Sequence, residues 1–323
     1  MSAVSAPLAL LFAGQGSQVP GMGASLAETC DGCRATFAAA DAALGYSLHR
    51  VLVSGTAEEL RRTEITQPAL LTLGVAHAEH LAGLGIRPTM VLGHSLGQYT
   101  ALVASGALSF EDALRLVALR GKLMQEAVPE GEGAMVVISG LDIAHVEEAC
   151  TRSRVESSAM AASIACINAP RQLVIAGPAS AVDMASTWCE EAGGGIIQLE
   201  VSAPFHCPML TPMIPGFREA LAKVVIRKPM IPVIDNVTGV AVWEPDAIRS
   251  FLLRHLTEPV QFAASLSYAA SQGVRRFVQC GPGASLLSFV KRCVPGAIGT
   301  TFEQELQGHT RDAEQKRVVH VAA

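Results

Sequence analysis

A serine stands at the centre of a Gly-x-Ser-x-Gly pattern at residues 93–97, and a hydroxyl in such a pattern can act as a nucleophile. The pattern lies between an apolar run, residues 89–92, that predicts a buried strand and an apolar stretch, residues 96–106, that predicts a helix. A strand-to-helix turn would place the Ser95 hydroxyl at a helix N-terminus, where the next backbone N–H can stabilise negative charge on a substrate carbonyl. A tight turn with a capping serine is the alternative interpretation of these residues.

His206 is the best candidate for the base that a serine nucleophile needs. Among the nine histidines, it is the one held in an irregular segment between two prolines, Pro204 and Pro208. That segment follows a predicted domain junction, and a histidine on a stiff loop beside a cleft is well placed to take a proton. A structural loop histidine is the alternative.

Arg120 interrupts the apolar face of a helix that the periodicity predicts over residues 110–125. A buried guanidinium needs a negative partner because an unpaired buried charge is very costly. Either a carboxylate of the protein pairs with it, or it binds the carboxylate of a ligand, which suits its planar pair of donors. The sequence leaves both possibilities open. The residues that share its predicted face are Ala113, Leu116, Val117 and Met124.

Cys30 and Cys33 form a Cys-x-x-Cys pattern, which can support redox or zinc chemistry. No second Cys or His pair lies near them in the sequence, so we predict two ordinary thiols and no metal site. The chain has eight cysteines in 323 residues, too few for a disulfide scaffold. Most of them have apolar neighbours, which predicts reduced, buried thiols and a cytoplasmic protein.

Alternating strands and helices must position these residues, and this alternation predicts an α/β protein with a parallel sheet. The rhythm changes over residues 133–201, where the order strand-helix-strand-strand-helix-strand is the ferredoxin-like signature. We therefore predict a discontinuous large domain, residues 1–132 and 202–307, into which a ferredoxin-like subdomain, residues 133–201, is inserted. Residues 308–323 are polar and unpatterned, and they predict a disordered tail.

The composition excludes several classes of protein. Half of the residues are apolar and 16% are charged, the reverse of a disordered chain. The net charge of −5 gives no broad basic surface, so no nucleic-acid partner is expected. No uncharged apolar run reaches the roughly 18 residues of a membrane span, and the N-terminus lacks the basic start of a signal peptide.

Five segments in order resemble the malonyl-CoA:acyl-carrier-protein transacylases. The resemblance extends over about residues 7–306. It implies an α/β-hydrolase-like large domain with the ferredoxin-like insert. The matching segments are residues 12–18 (FAGQGSQ), 93–97 (GHSLG), 120–125 (RGKLMQ), 172–177 (QLVIAG) and 202–206 (SAPFH).

The resemblance also implies roles for individual residues. Ser95 would be the nucleophile, His206 the base and Arg120 the group that holds the malonyl carboxylate. The backbone N–H groups of Gln15 and Leu96 would form the oxyanion hole.

Other matching positions would support the site. His94 would stand beside the serine, Gln67 and Asn168 would line the cleft, and Phe205 resembles the malonyl-selective form. The segment around Gln261 would supply the backbone carbonyl that orients the catalytic histidine.

Two positions depart from the family pattern. Gln98 replaces a Glu, which would weaken an ion pair at the surface or behind the site. Ala13 replaces the usual Pro.

The activity implied is a ping-pong transfer of malonyl from malonyl-CoA to the phosphopantetheine thiol of an acyl carrier protein, by a monomer that needs no cofactor. Two alternatives remain at this point. An editing hydrolase of the same fold would release the acyl group to water, although such relatives generally lack the arginine. A catalytically silent module that docks carrier proteins would keep no chemistry at all. Whether the pathway makes fatty acids or polyketides stays open.

Overall fold

The computed structural model describes residues 6–154, 160–201 and 203–321. Residues 1–5, 155–159, 202 and 322–323 of the predicted domains therefore lie outside the described residues. The strands are β1 (Leu8–Phe12), β2 (Met90–Gly93), β3 (Gly133–Ser139), β4 (Ser163–Ala169), β5 (Gln172–Pro178), β6 (Gly195–Gln198), β7 (Val233–Ile234), β8 (Ala241–Val242), β9 (Arg276–Cys280) and β10 (Ile298–Thr301).

The α-helices lie between these strands along the chain, and the last one follows β10. They are α1 (Ala24–Thr29), α2 (Asp31–Leu44), α3 (Leu48–Ser54), α4 (Thr63–Gly83), α5 (Gly97–Ala104), α6 (Phe110–Ala127), α7 (Ile143–Arg152), α8 (Ala179–Glu191), α9 (Ile214–Ala222), α10 (Pro245–Arg254), α11 (Phe262–Ser271), α12 (Ser285–Cys293) and α13 (Phe302–Val321). Short 3-10 turns span Glu59–Arg61 and Pro208–Met213. In the described residues, none of the helices combines the length and apolar character that crossing a membrane requires.

The larger sheet has the strand order β10-β9-β1-β2-β7-β8. Its strands are parallel except for β8, which pairs antiparallel with β7. The central strand β1 (LALLF) is buried at every position, as expected when helices cover both faces of a parallel sheet. The register sets Phe12 beside Gly93, so the ends of β1 and β2 meet at one edge of the sheet.

The smaller sheet has the order β4-β5-β3-β6 and its strands are antiparallel. With α7 and α8 on it, it gives the ferredoxin-like order of strands and helices. The apolar faces of this sheet and its helices form a second hydrophobic core. The predicted fold class, a large α/β unit with a small ferredoxin-like unit, is confirmed.

The prediction of a disordered tail from residue 308 is wrong, because α13 continues to Val321. The helix is anchored at its start, where Phe302 is buried and stacks on His77 with a ring separation of 3.7 Å. Glu303 and Glu305 lie in its first turn, where acidic groups stabilise a helix. A helix whose contacts with the core lie in its first turn needs no apolar face along the rest of its length. The prediction relied on such a face to identify a helix and therefore missed this one.

Candidate active site

Ser95 lies in the sharp turn between β2 and α5. Its backbone has a left-handed φ of 52°, a conformation that costs energy for any residue with a side chain. A Cβ at Gly97 would overlap the Phe12 carbonyl oxygen, and one at Gly93 would overlap the backbone of Gly97. The two glycines therefore let β1, β2 and α5 approach closely enough to force the turn, as the sequence predicted.

The structure brings His206 to Ser95. The serine Oγ lies 2.7 Å from His206 Nε2, and His206 Nδ1 lies 2.7 Å from the backbone carbonyl oxygen of His255. A carbonyl can only accept, so Nδ1 carries the proton and Nε2 is free to accept the serine hydroxyl hydrogen. His206 itself has a left-handed φ of 57°. The pair has the geometry of a nucleophile and its base.

The carbonyl that orients His206 was predicted on the segment around Gln261, and that prediction is wrong. The Gln261 carbonyl instead accepts from the N–H and the hydroxyl of Ser265, both at 2.9 Å, in the first turn of α11. His255 directly follows α10, and the last carbonyls of a helix have no partner within the helix. This rule explains why the His255 carbonyl is free to accept from His206, but it does not indicate from the sequence that the two residues meet.

Burial is the main reason why the pKa of His206 falls to about 3, and the positive charge of Arg120 lowers it further. The His255 carbonyl opposes this shift by stabilising the protonated ring. His206 is therefore neutral at pH 7 and can accept a proton.

Arg120 is 1% exposed and points at the serine. Its Nη1 donates to Gln67 Oε1 at 2.8 Å, and its Nη2 donates to Ser95 Oγ at 3.4 Å. Among the described residues, no carboxylate lies within 4.0 Å of the guanidinium, and its Nε has no hydrogen-bond partner. The sequence left two possible partners for Arg120, a carboxylate of the protein or a carboxylate of a ligand. The described residues do not supply the first.

Asn236 is a functional residue to which the sequence reasoning assigned no role, although Asn236 and Val237 also match the family pattern. Its Oδ1 accepts from the backbone N–H of Ser95 at 2.8 Å, and its Nδ2 donates to Gly93 O at 2.7 Å and to Gln98 Oε1 at 2.8 Å. Both amide side chains are buried. Gln98 thus does not take part in a surface contact; it positions the amide that holds the turn. Asn236 and Ser95 are 141 positions apart in the sequence, and this separation hid their contact.

Asn236→Asp should lower the free energy of unfolding by about 3 kcal/mol, because it sets a buried carboxylate oxygen against the oxygens of Gly93 and Gln98. The loosened turn should slow acylation of the serine at least about tenfold. Urea unfolding and single-turnover acylation measure the two effects. Gln272→Glu, an exposed amide-to-acid change after α11, is the control for added charge. Equal stability and rate in both variants would contradict the role given to Asn236.

The N–H groups of Leu96 and Gln15 have no hydrogen-bond partner within the part of the chain that the structure describes. Leu96 immediately precedes α5 and follows the serine, so its N–H lies at the start of that helix. An N–H at this position can receive an oxyanion.

His94 does not turn toward the serine hydroxyl; its Nε2 donates to Asn168 Oδ1 at 2.7 Å. Burial lowers the pKa of His94, so its ring is neutral and can hold Asn168 in place. The two side chains tie the turn at β2 to strand β4 of the smaller sheet.

A cavity of about 290 Å³ opens beside Ser95, between the smaller sheet and the helices and loops of the larger unit. Its walls come from both units: the smaller sheet contributes apolar side chains such as Met135 and Val174, and the larger unit contributes them from helices, such as Met124 of α6 and Phe289 of α12. Among the predicted residues, it is lined by Gln15, Gln67, His94, Ser95, Arg120, Asn168, Phe205 and His206. A cavity of this size, with apolar side chains in its lining and the Arg120 guanidinium beside the Ser95 hydroxyl, fits a small acyl chain that carries a negative charge.

Comparison with known proteins assigns the family. Residues 9–318 match the acyl transferase domain family. The malonyl CoA-acyl carrier protein transacylase of Escherichia coli K12 is 44% identical over 288 residues, which are 88% of this chain and 92% of that protein. The chain belongs to the acyltransferase family.

Solved structures agree with this assignment. The malonyl CoA-acyl carrier protein transacylase of Coxiella burnetii superposes on the acyltransferase with a TM-score of 0.90 at 38% identity, covering 95% of this chain and 98% of that one. A malonyl-transacylase solved in complex with its type II PKS acyl-carrier protein, PlMCAT with AntF, gives 0.87 at 40% identity, covering 91% and 94%. Both similarities extend over the larger and the smaller sheet.

Proposed function

We propose that the acyltransferase moves malonyl from malonyl-CoA to the phosphopantetheine thiol of an acyl carrier protein. The observation that carries this proposal is Arg120, a buried guanidinium with no carboxylate partner among the described residues, 3.4 Å from Ser95 Oγ. Malonyl is an acyl group with a carboxylate two carbons from its thioester carbonyl, so it can reach both groups at once. The relatives named above carry this activity in their names.

In the first half-reaction, Ser95 Oγ attacks the thioester carbonyl while its proton passes to His206 Nε2. The N–H groups of Gln15 and Leu96 receive the developing oxyanion. When the tetrahedral intermediate collapses, the C–S bond breaks, and the CoA sulfur takes the proton from His206. The product is a malonyl-serine ester whose carboxylate rests on Arg120.

In the second half-reaction, the carrier-protein thiol gives its proton to His206 and attacks the ester carbonyl. The bond between carbon and Ser95 Oγ breaks, and Oγ recovers the proton. The carboxylate stays on Arg120 through both steps, which keeps the reacting carbon in place. This chemistry uses a serine, a histidine and an arginine, and requires no metal or cofactor.

The test of this function is transfer to purified holo acyl carrier protein from malonyl-CoA, methylmalonyl-CoA and acetyl-CoA, followed by mass spectrometry of the carrier. Malonyl should transfer fastest. Methylmalonyl should be disfavoured because the bulky Phe205 lines the cavity, and acetyl because it lacks the carboxylate. Equal rates for malonyl and acetyl would overturn the proposal.

Acylation should remain fast well below pH 6.5, the ordinary pKa of histidine. With its pKa near 3, His206 stays neutral at pH 5, whereas an unperturbed histidine would then be only about 3% neutral. The rate constant for acylation at low malonyl-CoA concentration, measured by rapid quench from pH 8 to 5, should change less than about twofold. Circular dichroism at each pH controls for unfolding. A fall of about thirtyfold centred at pH 6.5 would contradict a desolvated base.

We further propose that the enzyme acts as a monomer in the cytoplasm. The cavity and its reacting groups all come from one chain. All eight cysteines are unpaired, as is typical of a reducing compartment.

A further inference from the structure

A second cluster of reactive side chains lies outside the cavity, between α2 and α4. Cys30 caps α2, Cys33 lies in its first turn, and His80 lies in the last turn of α4. The two sulfurs and a ring nitrogen lie within 4.8 Å of one another, and Cys30 Sγ is 3.1 Å from His80 Nδ1. None of the three lines the acyl cavity.

The fold supplies the histidine that the sequence did not place near this Cys-x-x-Cys pair. His80 is 50 residues beyond Cys30, on the helix that packs against α2. Two thiols at this spacing with one imidazole are a donor set that zinc prefers. The absence of a third ligand from the local sequence argued against a metal, and the fold supplies that ligand in His80.

The surroundings of the cluster hold a backbone donor and a carboxylate beside the two thiols. The backbone N–H of Cys33 donates to Cys30 Sγ at 3.2 Å, a bond that also forms to metal-bound thiolates. Glu79 is held nearby, where its Oε2 accepts from Thr36 Oγ1 at 2.7 Å. Glu79, which directly precedes His80 in the chain, thus places a carboxylate beside the cluster, where a bound cation would offset its charge.

We propose that Cys30, Cys33 and His80 form a binding site for one Zn²⁺ ion. Both thiols lose their protons to solvent, and the two sulfurs and His80 Nδ1 bind the metal, with water at the fourth position. Ligand atoms of a tetrahedral zinc site stand roughly 3.5–3.8 Å apart. The present separations, from 3.1 Å to at most 4.8 Å, bracket these values, so small side-chain rotations complete the site.

The site would connect the start of α2 to the end of α4. The opposite end of α4 carries Gln67, which holds Arg120. A metal that binds the folded protein but not the unfolded chain stabilises the folded state. Zinc should therefore raise the thermal unfolding midpoint by a few degrees. It should leave acyl transfer unchanged, because no group of the cluster reaches the cavity.

The experiment uses the full chain, reduced and stripped of metal, and then dialysed against Zn²⁺. Elemental analysis should find one equivalent of zinc, and Co²⁺ in its place should give thiolate-to-cobalt charge-transfer bands. Cys33→Ser should reduce Zn²⁺ affinity by more than the roughly 10–100-fold that loss of an outer partner costs. Cys189→Ser, a buried cysteine of the smaller unit, is the matched control and should bind like the parent.

His80→Gln keeps the test sharp if Cys33→Ser fails to fold, because His80 is only partly buried. It should fold, transfer malonyl normally and lose the same affinity. The proposal is overturned if the reduced parent binds no zinc, if His80→Gln binds it as tightly as the parent, or if Cys30 and Cys33 form a disulfide under the same reducing conditions.

Discussion

Ser95→Ala should leave a folded protein that no longer takes covalent label from radioactive malonyl-CoA and transfers malonyl at least about 10³-fold more slowly. The substitution removes the attacking oxygen and nothing else of the turn. Alanine keeps the Cβ, so the strain of the left-handed backbone at φ 52° is the same in both proteins. Circular dichroism and a thermal midpoint close to that of the parent establish that the lost label reflects chemistry.

Ser285→Ala is the matched control, because this second serine also lines the cavity. The Ser285→Ala protein should take up malonyl label at the parent rate, since His206 Nε2 is hydrogen-bonded to Ser95 Oγ. Intact-mass spectra of the three proteins after one minute with malonyl-CoA decide the matter. Label that persists in Ser95→Ala would remove this serine from the role of nucleophile.

Arg120→Ala should lose malonyl transfer and gain relative activity on acetyl-CoA. A charge-assisted hydrogen bond is worth about 1.5–3 kcal/mol, which is roughly 10–150-fold in the ratio of kcat/KM for malonyl over acetyl. Because the described residues offer this guanidinium no carboxylate, its removal breaks no ion pair of the described chain. The protein should therefore fold, and its thermal midpoint checks that it does.

The control for Arg120 lies on the exposed side of the same helix. Arg115 pairs with Asp112 at 3.8 Å in solvent, where such pairs contribute little. Arg115→Ala should keep the parent's preference for malonyl. If Arg120→Ala also kept it, the carboxylate would be held elsewhere, and the proposed substrate would lose its main support.

The sequence was sufficient where one local pattern determines one feature. The glycines around Ser95 are needed for the close approach of β1, β2 and α5, so their spacing alone predicts the turn. Arg120 could be identified because it lies on the apolar face of α6. The apolar residues of a helix recur with one regular period, so a charged residue at one of their positions is apparent from the sequence. The smaller unit was found in the same way, from the order of its strands and helices.

Contacts between distant segments could not be predicted. His255 orients His206 through a backbone carbonyl, a group that every residue has, so nothing in its side chain marks it. Asn236 and His80 reach their partners across 141 and 50 residues, and no spacing rule connects such pairs. Gln261 was chosen in place of His255 because a family motif identifies the loop and not the carbonyl that points into the site.

The most direct measurement isolates the acylated protein, free of malonyl-CoA, and then adds holo acyl carrier protein in slight excess. Mass spectra should show malonyl leaving the acyltransferase and appearing on the carrier phosphopantetheine within a single turnover, in nearly equal amounts. Release of free malonate with no labelled carrier would contradict the account and would make the protein a hydrolase.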